Sequence, residues 1–318
     1  MKNKFLNKND SSSGFVGSGY GLDPNYVSGF SDGEATFSVR LVKNNKLKTS
    51  WSVQPSFSIG LHAKDLALLN RIQSFFGVGK ISIRKSDGSV HYNVASLKDL
   101  INVIIPHFNK YPLITQKQAD FLLFKSIIDL INNKEHLTPE GIQKIVTILA
   151  SMNKGLTKEL KTAFPEARPV TRPIVEPAKT MDPNWLAGFS EAECCFYVDI
   201  AKSDRYKQGS NVRLKFILTQ HSRDTLLFKS IRNHWEGNFQ AESKNSIVRF
   251  VVTKFSDIES LISFFNKYPL QGAKKLDYED FCKAAELIKD KAHLTEEGLA
   301  KIREIKSRMN TGRDNSKR

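Results

Sequence analysis

The sequence predicts an α+β protein built twice: each unit reads as a helix, two strands, a helix, two strands and then helices, and a pseudo-two-fold axis relates the pair. Three observations predict this. First, Asp23-Pro24-Asn25-Tyr26-Val27-Ser28-Gly29-Phe30-Ser31-Asp32-Gly33-Glu34 returns as Asp182-Pro183-Asn184-Trp185-Leu186-Ala187-Gly188-Phe189-Ser190-Glu191-Ala192-Glu193, an offset of 182 − 23 = 159 residues. Only two copies at so wide a spacing indicate duplicated halves rather than a stacked solenoid. Second, each copy runs straight into residues of alternating polarity, the mark of a strand with one covered face. Third, Ala163 to Thr180, between the copies, carries Pro165, Pro169, Pro173 and Pro177, which favours an extended connector.

Each half begins with a helix. Asp23 and Asp182 are placed to cap it, Pro24 and Pro183 suit its first position, and it is expected to run to about Glu34 and Glu193. Strands follow at Thr36 to Val42 and Phe196 to Ala201, with Phe37, Val39 and Leu41 on the covered side. Second strands are expected at Ser52 to Leu61 and Val212 to Gln220, helices near Asp65 to Phe76 and Asp224 to Trp235, and strand pairs around Lys80 to Val94 and Asn238 to Thr253. The later parts repeat too. Phe108-Asn109-Lys110-Tyr111-Pro112-Leu113 returns as Phe265-Asn266-Lys267-Tyr268-Pro269-Leu270, His136-Leu137-Thr138 as His293-Leu294-Thr295, and Met152-Asn153-Lys154-Gly155 as Met309-Asn310-Thr311-Gly312. The expected division is a disordered leader (1–21), a first half (22–162), a proline-rich linker (163–181), a second half (182–313) and a basic tail (314–318).

Composition narrows the partner. Of the 318 residues 40% are hydrophobic and 25% charged, as in ordinary globular proteins. The 48 Lys and Arg exceed the 33 Asp and Glu, a net charge of +15 that favours a polyanion, nucleic acid before membrane. No apolar run approaches the roughly 18 residues of a spanning helix. Three cysteines, Cys194, Cys195 and Cys282, form neither an even framework nor a C-x-x-C pair, so a reducing compartment is expected.

The chemistry is expected where the two first helices meet. Gly29 and Gly33, like Gly188 and Ala192, lie four apart and make a small-residue stripe on one helix face. Packing through those stripes brings Glu34 and Glu193 side by side at helix C-termini, where mutual repulsion and the helix dipole both disfavour the charge. A hard divalent cation would relieve both. A helix-ending Glu is ordinarily a solvated surface residue, but its retention in both copies after the same stripe favours catalysis. The recurring His62 and His221, and His136 and His293, lack neighbouring ligands at metal spacing and read as caps or packing.

Val27-Ser28-Gly29-Phe30-Ser31-Asp32-Gly33-Glu34-Ala35 and Leu186-Ala187-Gly188-Phe189-Ser190-Glu191-Ala192-Glu193-Cys194 resemble two LAGLIDADG motifs. With Phe-Asn-Lys-Tyr-Pro-Leu, Lys134-Glu135-His136-Leu137-Thr138 and Val251-Val252-Thr253-Lys254-Phe255-Ser256-Asp257, the chain resembles the single-chain, fungal mitochondrial branch of LAGLIDADG homing endonucleases. The resemblance implies two αββαββα repeats whose saddle-shaped antiparallel sheets face the DNA major groove. It implies cleavage of both strands of a long asymmetric site leaving 3′ overhangs, by a monomer in mitochondria. The motif's acid maps to Glu34 and Glu193, and carbonyls just before it to Gly33 and Ala192, as ligands of Mg²⁺; Mn²⁺ is expected to substitute and Ca²⁺ to support binding only. Ala35 and Cys194 stand where the motif usually ends in Gly. Gln220 matches a catalytic polar residue of the second strand, whereas Leu61 takes its place in the first half, implying unequal centres. The basic residue often found in the third strand aligns with Ser82 and Gln240, so a phosphate-stabilising cation is expected to be missing. An intron RNA maturase, with host intron RNA as partner, and a catalytically silent DNA-binding protein remain alternatives on the same scaffold.

Alternate strand positions supply a DNA face. In the first half these are Ser38, Arg40, Gln54, Ser56, Ser58, Lys80, Ser82, Arg84, His91 and Asn93; in the second, Tyr197, Asp199, Arg213, Lys215, Thr219, Asn238, Gln240 and Arg249. A half-buried sheet also shows polar residues to water, but the net charge favours DNA. Lys43, Lys46, Lys48, Lys202 and Lys207 are assigned to loops that meet phosphates.

Overall fold

The computed structural model of the chain describes residues 21–176, 178, 180–232, 234–242 and 246–315. The expected leader, apart from Gly21, lies outside the described residues. The first half runs α1 (Pro24–Glu34), β1 (Ala35–Lys43), β2 (Trp51–Leu61), α2 (Leu66–Phe76), β3 (Lys80–Ile83), β4 (Val90–Val94), α3 (Leu97–Asp99), α4 (Ile105–Lys110), α5 (Lys117–Asn132), α6 (Pro139–Ser151) and α7 (Lys158–Ala163). The second runs α8 (Pro183–Glu193), β5 (Cys194–Lys202), β6 (Ser210–His221), α9 (Thr225–Ile231), β7 (Asn238–Glu242), β8 (Ile247–Val252), α10 (Phe255–Lys267), α11 (Lys274–Lys289), α12 (Glu296–Ser307) and α13 (Thr311–Asn315). Each half contributes one four-stranded antiparallel sheet, ordered β1-β2-β4-β3 and β5-β6-β8-β7. Asp314 and Asn315, expected in a tail, belong to α13.

Local chemistry sets these boundaries. Asp23 caps α1 by accepting from Asn25 N–H at 2.8 Å and Tyr26 N–H at 3.3 Å, and Asp182 does the same for Asn184 and Trp185. Both helices stop when the next residue, Ala35 or Cys194, turns extended, so each catalytic-candidate acid sits where helix becomes strand. Pro106 leaves a mark on the first half alone. It has no N–H for the helical ladder, and a π-helical stretch, Leu100–Ile104, separates α3 from α4 just before it. The second half carries Ser263 there, and α10 runs unbroken.

Helices cover one face of each sheet over an aromatic core. Phe37 packs with Phe57, Phe108, Phe121 and Phe124 at centroid distances of 5.2–5.5 Å, and Phe196 with Phe216, Phe265, Tyr278 and Phe281 at 5.3–5.6 Å. The cores touch across the middle: Ala187 joins the first, and Ile114 packs on the second. Among the described residues, the linker after α7 has no regular structure. Ser151 Oγ donates to Val170 O at 2.5 Å, and Arg172 bonds both Asp120 oxygens (2.8 and 3.0 Å), Ser151 O (2.9 Å) and Gln116 O (3.1 Å). Among the described residues, no helix is long and apolar enough to cross a membrane.

Candidate active site

The halves meet through α1 and α8, and the small residues allow it. A β-carbon on Gly29 would lie 2.8 Å from the Trp185 carbonyl carbon and 2.9 Å from Phe189 N; one on Gly188 would lie 2.9 Å from Phe30 N. Only backbone fits there. Further along, the Gly33 gap is filled by the Ala192 methyl, and the Glu193 Oε1 atom lies 3.3 Å from where a Gly33 β-carbon would be. The helices therefore end together.

Two acids within the helices lock this contact. Asp32 accepts from Trp185 Nε1 of the other half (2.9 Å), and from Thr115 Oγ1 (2.6 Å) and Ile114 N–H (2.9 Å) of its own. Glu191 mirrors it, accepting from Tyr26 O–H (3.0 Å), Gln271 N–H (2.7 Å) and Gly272 N–H (3.1 Å). Burial raises both carboxyls, Asp32 to about 6. Each acid thus ties its helix to the turn before α5 or α11. Sequence reasoning passed over both, because their donors lie far along the chain.

Those turns lead to two lysines that sequence reasoning also missed. Lys117 Nζ donates to Ser31 O (3.0 Å) and Gly33 O (2.8 Å); Lys274 Nζ donates to Cys194 O (2.6 Å) and Ala192 O (3.3 Å). The third strands do carry Ser82 and Gln240 where a basic residue was sought, and these two cations stand instead at the starts of α5 and α11. The signal was in the repeat: both lysines stand four residues beyond the Leu of Phe-Asn-Lys-Tyr-Pro-Leu.

Burial, then the Glu193 charge, raises the Glu34 carboxyl, and of the two lysines Lys274 opposes this more strongly. Burial likewise raises Glu193, against Lys117 first and Lys274 second. Both lysines thus offset the charge of both acids. Gln220 Nε2 donates to Glu193 Oε1 at 3.2 Å, whereas Leu61, at the matching register position, has nothing to donate. A cleft of about 630 Å³ beside Glu34 is lined by Lys274, Leu61, His62, Arg84 and His91, among others. His62 and His221 cap the following turns through Nδ1.

Two desolvated carboxylates that approach one another are hard oxygen donors suited to Mg²⁺ or a similar ion. Among the described residues no group of three or more His, Cys, Asp or Glu could hold a metal unaided. Waters, phosphate oxygens or carbonyls would complete such a shell, and the nearby carbonyls of Gly33 and Ala192 here accept the lysine ammonium groups.

Strand register sorts the sheet residues. Ser38, Arg40, Gln54, Ser56, Ser58, Lys80, Ser82, His91 and Asn93 share the face away from the helices, through the pairs Ser38↔Ser56, Arg40↔Gln54, Ser58↔Asn93, Lys80↔Asn93 and Ser82↔His91. Arg84 follows β3, 3.5 Å from Asp87. In the second half Asp199↔Arg213, Tyr197↔Lys215, Thr219↔Arg249 and Gln240↔Arg249 share the corresponding face with Asn238. Asp199 and Lys215 form an ion pair at 2.8 Å, and Lys306 of α12 lies over the Tyr197 ring at 5.3 Å, at the sheet edge. Lys46, Lys48 and Lys207 are exposed in the β1–β2 and β5–β6 turns. Lys43 and Lys202 differ from expectation: they are the last residues of β1 and β5, in step with Phe37 and Phe196, so strand alternation puts them on the helix side. Lys43 accordingly shares a cavity with Lys158 and Glu159 of α7.

Comparison with known proteins adds to this geometry. The sequence matches the family LAGLIDADG endonuclease over residues 27–128 and 186–285. It is 41% identical over 302 residues to probable intron-encoded endonuclease 2 of Neurospora crassa, covering 91% of this chain and 65% of that one, and 39% identical over 285 residues to probable intron-encoded endonuclease 3 of the same organism, covering 88% and 53%. The chain thus spans less than two thirds of the length of these two relatives. Its structure is similar to that of the I-SmaMI LAGLIDADG homing endonuclease bound to cleaved DNA, with a TM-score of 0.89, 43% identity, and coverage of 92% of this chain and 98% of that chain. I-SmaMI bound to uncleaved DNA with calcium ions matches at TM-score 0.88 and 42% identity, covering 91% and 99%.

Proposed function

The chain belongs to the LAGLIDADG endonuclease family, and from that premise we propose that it is a site-specific homing endonuclease that hydrolyses both strands of a long, asymmetric DNA site. The carrying observation is the approach of Glu34 and Glu193 at the ends of α1 and α8, with Lys117 and Lys274 beside them. In this reading Glu34 and Glu193 would hold Mg²⁺, the Gly33 and Ala192 carbonyls joining them only by sharing their oxygens with Lys117 and Lys274, and the bound ion would supply a water of lowered pKa and offset charge on the departing oxygen. Lys117 and Lys274 meet the phosphate charge, while Gln220 orients Glu193. Arg40, Arg84 and Arg213 read base edges and the turn lysines Lys46, Lys48 and Lys207 contact phosphates.

The same proposal takes residues 22–162 and 182–313 as the two DNA-binding halves joined by 163–181. It makes the protein a monomeric enzyme of mitochondria and, in keeping with the names of its relatives, an intron-encoded one. The test is selection of cleaved sites from a random duplex library in Mg²⁺, then cleavage and binding of the recovered site. Glu34→Gln and Glu193→Gln are each expected to abolish double-strand cleavage while leaving binding in Ca²⁺ within a few-fold. Complete cutting by either variant would overturn the assignment, and binding without cutting by the unaltered chain would make it a silent DNA-binding protein.

A further inference from the structure

Helices α5 and α11 begin at the two lysines, and the residues preceding them, Gln116 and Ala273, provide no capping side chain. Thr115 Oγ1 accepts from Lys117 N–H at 3.1 Å, and further acceptors come from across the pseudo-axis. Asp224, after β6 of the second half, accepts from Gln116 N–H of the first half at 2.7 Å. Asp65, its counterpart 159 residues earlier after β2, accepts from Ala273 N–H of the second half at 2.9 Å. The surroundings are cross-braced as well. Arg71 Nη1 donates to Gln271 Oε1 at 2.8 Å, and Arg223 Nη1 to Asn153 Oδ1 at 2.9 Å. A β-carbon on Gly272 would sit 2.9 Å from Glu191 Oε1 and 3.0 Å from Asp65 Oδ1, so this turn is pinched between the halves.

We propose that Asp65 and Asp224 are positioning residues that act across the pseudo-two-fold: each carboxylate fixes the first turn of the helix that presents the other half's lysine. An acid at a helix N-terminus both accepts an orphan N–H and complements the dipole, and the next residue in each helix is the lysine itself. Since the cleft beside Glu34 is lined by Asp65 of the same half and Lys274 of the other, and the pseudo-two-fold repeats this arrangement around Glu193 with Asp224 and Lys117, neither cleavage centre is complete within one half. The Glu193 centre combines Glu193, Gln220 and Asp224 of the second half with Lys117 of the first. The Glu34 centre combines Glu34 and Asp65 of the first with Lys274 of the second.

The proposal rests on the nuclease reading and is tested on the full chain with its selected duplex, each strand separately end-labelled. Asp224→Ala is expected to slow nicking of one strand at least tenfold and of the other less than threefold, and Lys117→Ala is expected to slow that same strand. Asp65→Ala is expected to slow the opposite strand, matching Lys274→Ala. Asp224→Asn and Asp65→Asn keep the acceptor without the charge and are expected to recover most of the rate. Equal slowing of both strands, the same strand slowed by both alanine variants, or asparagine variants as slow as alanine ones would overturn it. Hydrogen exchange gives a readout independent of cleavage: Asp224→Ala is expected to raise exchange in the first turn of α5 and not of α11, with the reverse for Asp65→Ala. Unchanged exchange would overturn the positioning role, whereas no nicking by the unaltered chain would instead overturn the nuclease reading.

Discussion

Moving a methyl group from one helix to the other tests the α1–α8 contact directly. In Gly33→Ala the new carbon would fall more than about 1 Å inside the 3.5–4.0 Å that suits two carbons, against the Ala192 methyl. Neither methyl can rotate away, because both are fixed to helical backbone. Overpacking of this kind costs about 1–3 kcal/mol, and with no flexible group to yield, the upper end, about 3 kcal/mol, is expected. That corresponds to a loss in Tm of about 4–5 °C for a chain of this size. Ala192→Gly alone is expected to cost about 1 kcal/mol through helix propensity. Together the two substitutions restore one methyl to the gap, so the double variant is expected to lose only about 1 kcal/mol, a coupling of about 3 kcal/mol across the pair. Denaturant unfolding of the four proteins measures it. Cleavage should follow, since Glu193 Cγ lies 3.2 Å from the same point. If the double variant is as unstable as the two penalties added, the helices do not meet through these residues.

Three other perturbations follow from the structure. His107 is an acid-sensitive point: Ser28 O–H donates to Tyr111 O at 2.7 Å, so His107 Nε2–H donates to Ser28 Oγ at 3.1 Å, and burial depresses the ring to about 3. The unfolded chain takes up this proton near pH 6.5 and the folded one only near 3. Stability from this group is therefore intact above about pH 6.5 and falls as pH drops towards 3, by about 2 kcal/mol at pH 4.5 after allowing for partial solvent access; His107→Phe should flatten that part of the profile in urea titrations. Arg172→Ala leaves Asp120, which is 5% exposed, without its cation and with only the Asn153 N–H, and should cost about 3 kcal/mol in the same assay, with part regained by adding Asp120→Asn. Finally, the +15 charge predicts DNA affinity that falls with salt with a log–log slope of several units in magnitude, and a flat response would contradict phosphate contacts.

Short-range chemistry made much of the fold readable. Asp23-Pro24 and Asp182-Pro183 act as local caps, and Phe37, Phe57, Phe196 and Phe216 betray their sheet face by a period of two. The same parity, carried on from Phe37, reaches Lys43 on the helix side; the error came from ending the strand one residue early. The site was half legible. The glycine stripe and the two acids lie in one contiguous motif, whereas Lys117 reaches Gly33 O across 84 residues, and only the repeat could have flagged it. Asp32 and Glu191 went unassigned because an isolated sequence does not reveal donors such as Trp185, 153 residues away from Asp32.

The strap between the halves is pinned partway along its course. Arg172 grips Asp120, and Val170 is held by Thr147 and Ser151, so the described strap is anchored as far as Arg172, before Met181 enters the second core. A break introduced among residues 164–169 would leave the downstream piece carrying a latch that reaches back into the upstream one. Fragments divided there should find each other again more readily than fragments divided after Arg172, which makes that stretch the natural place to split the chain into two co-expressed pieces.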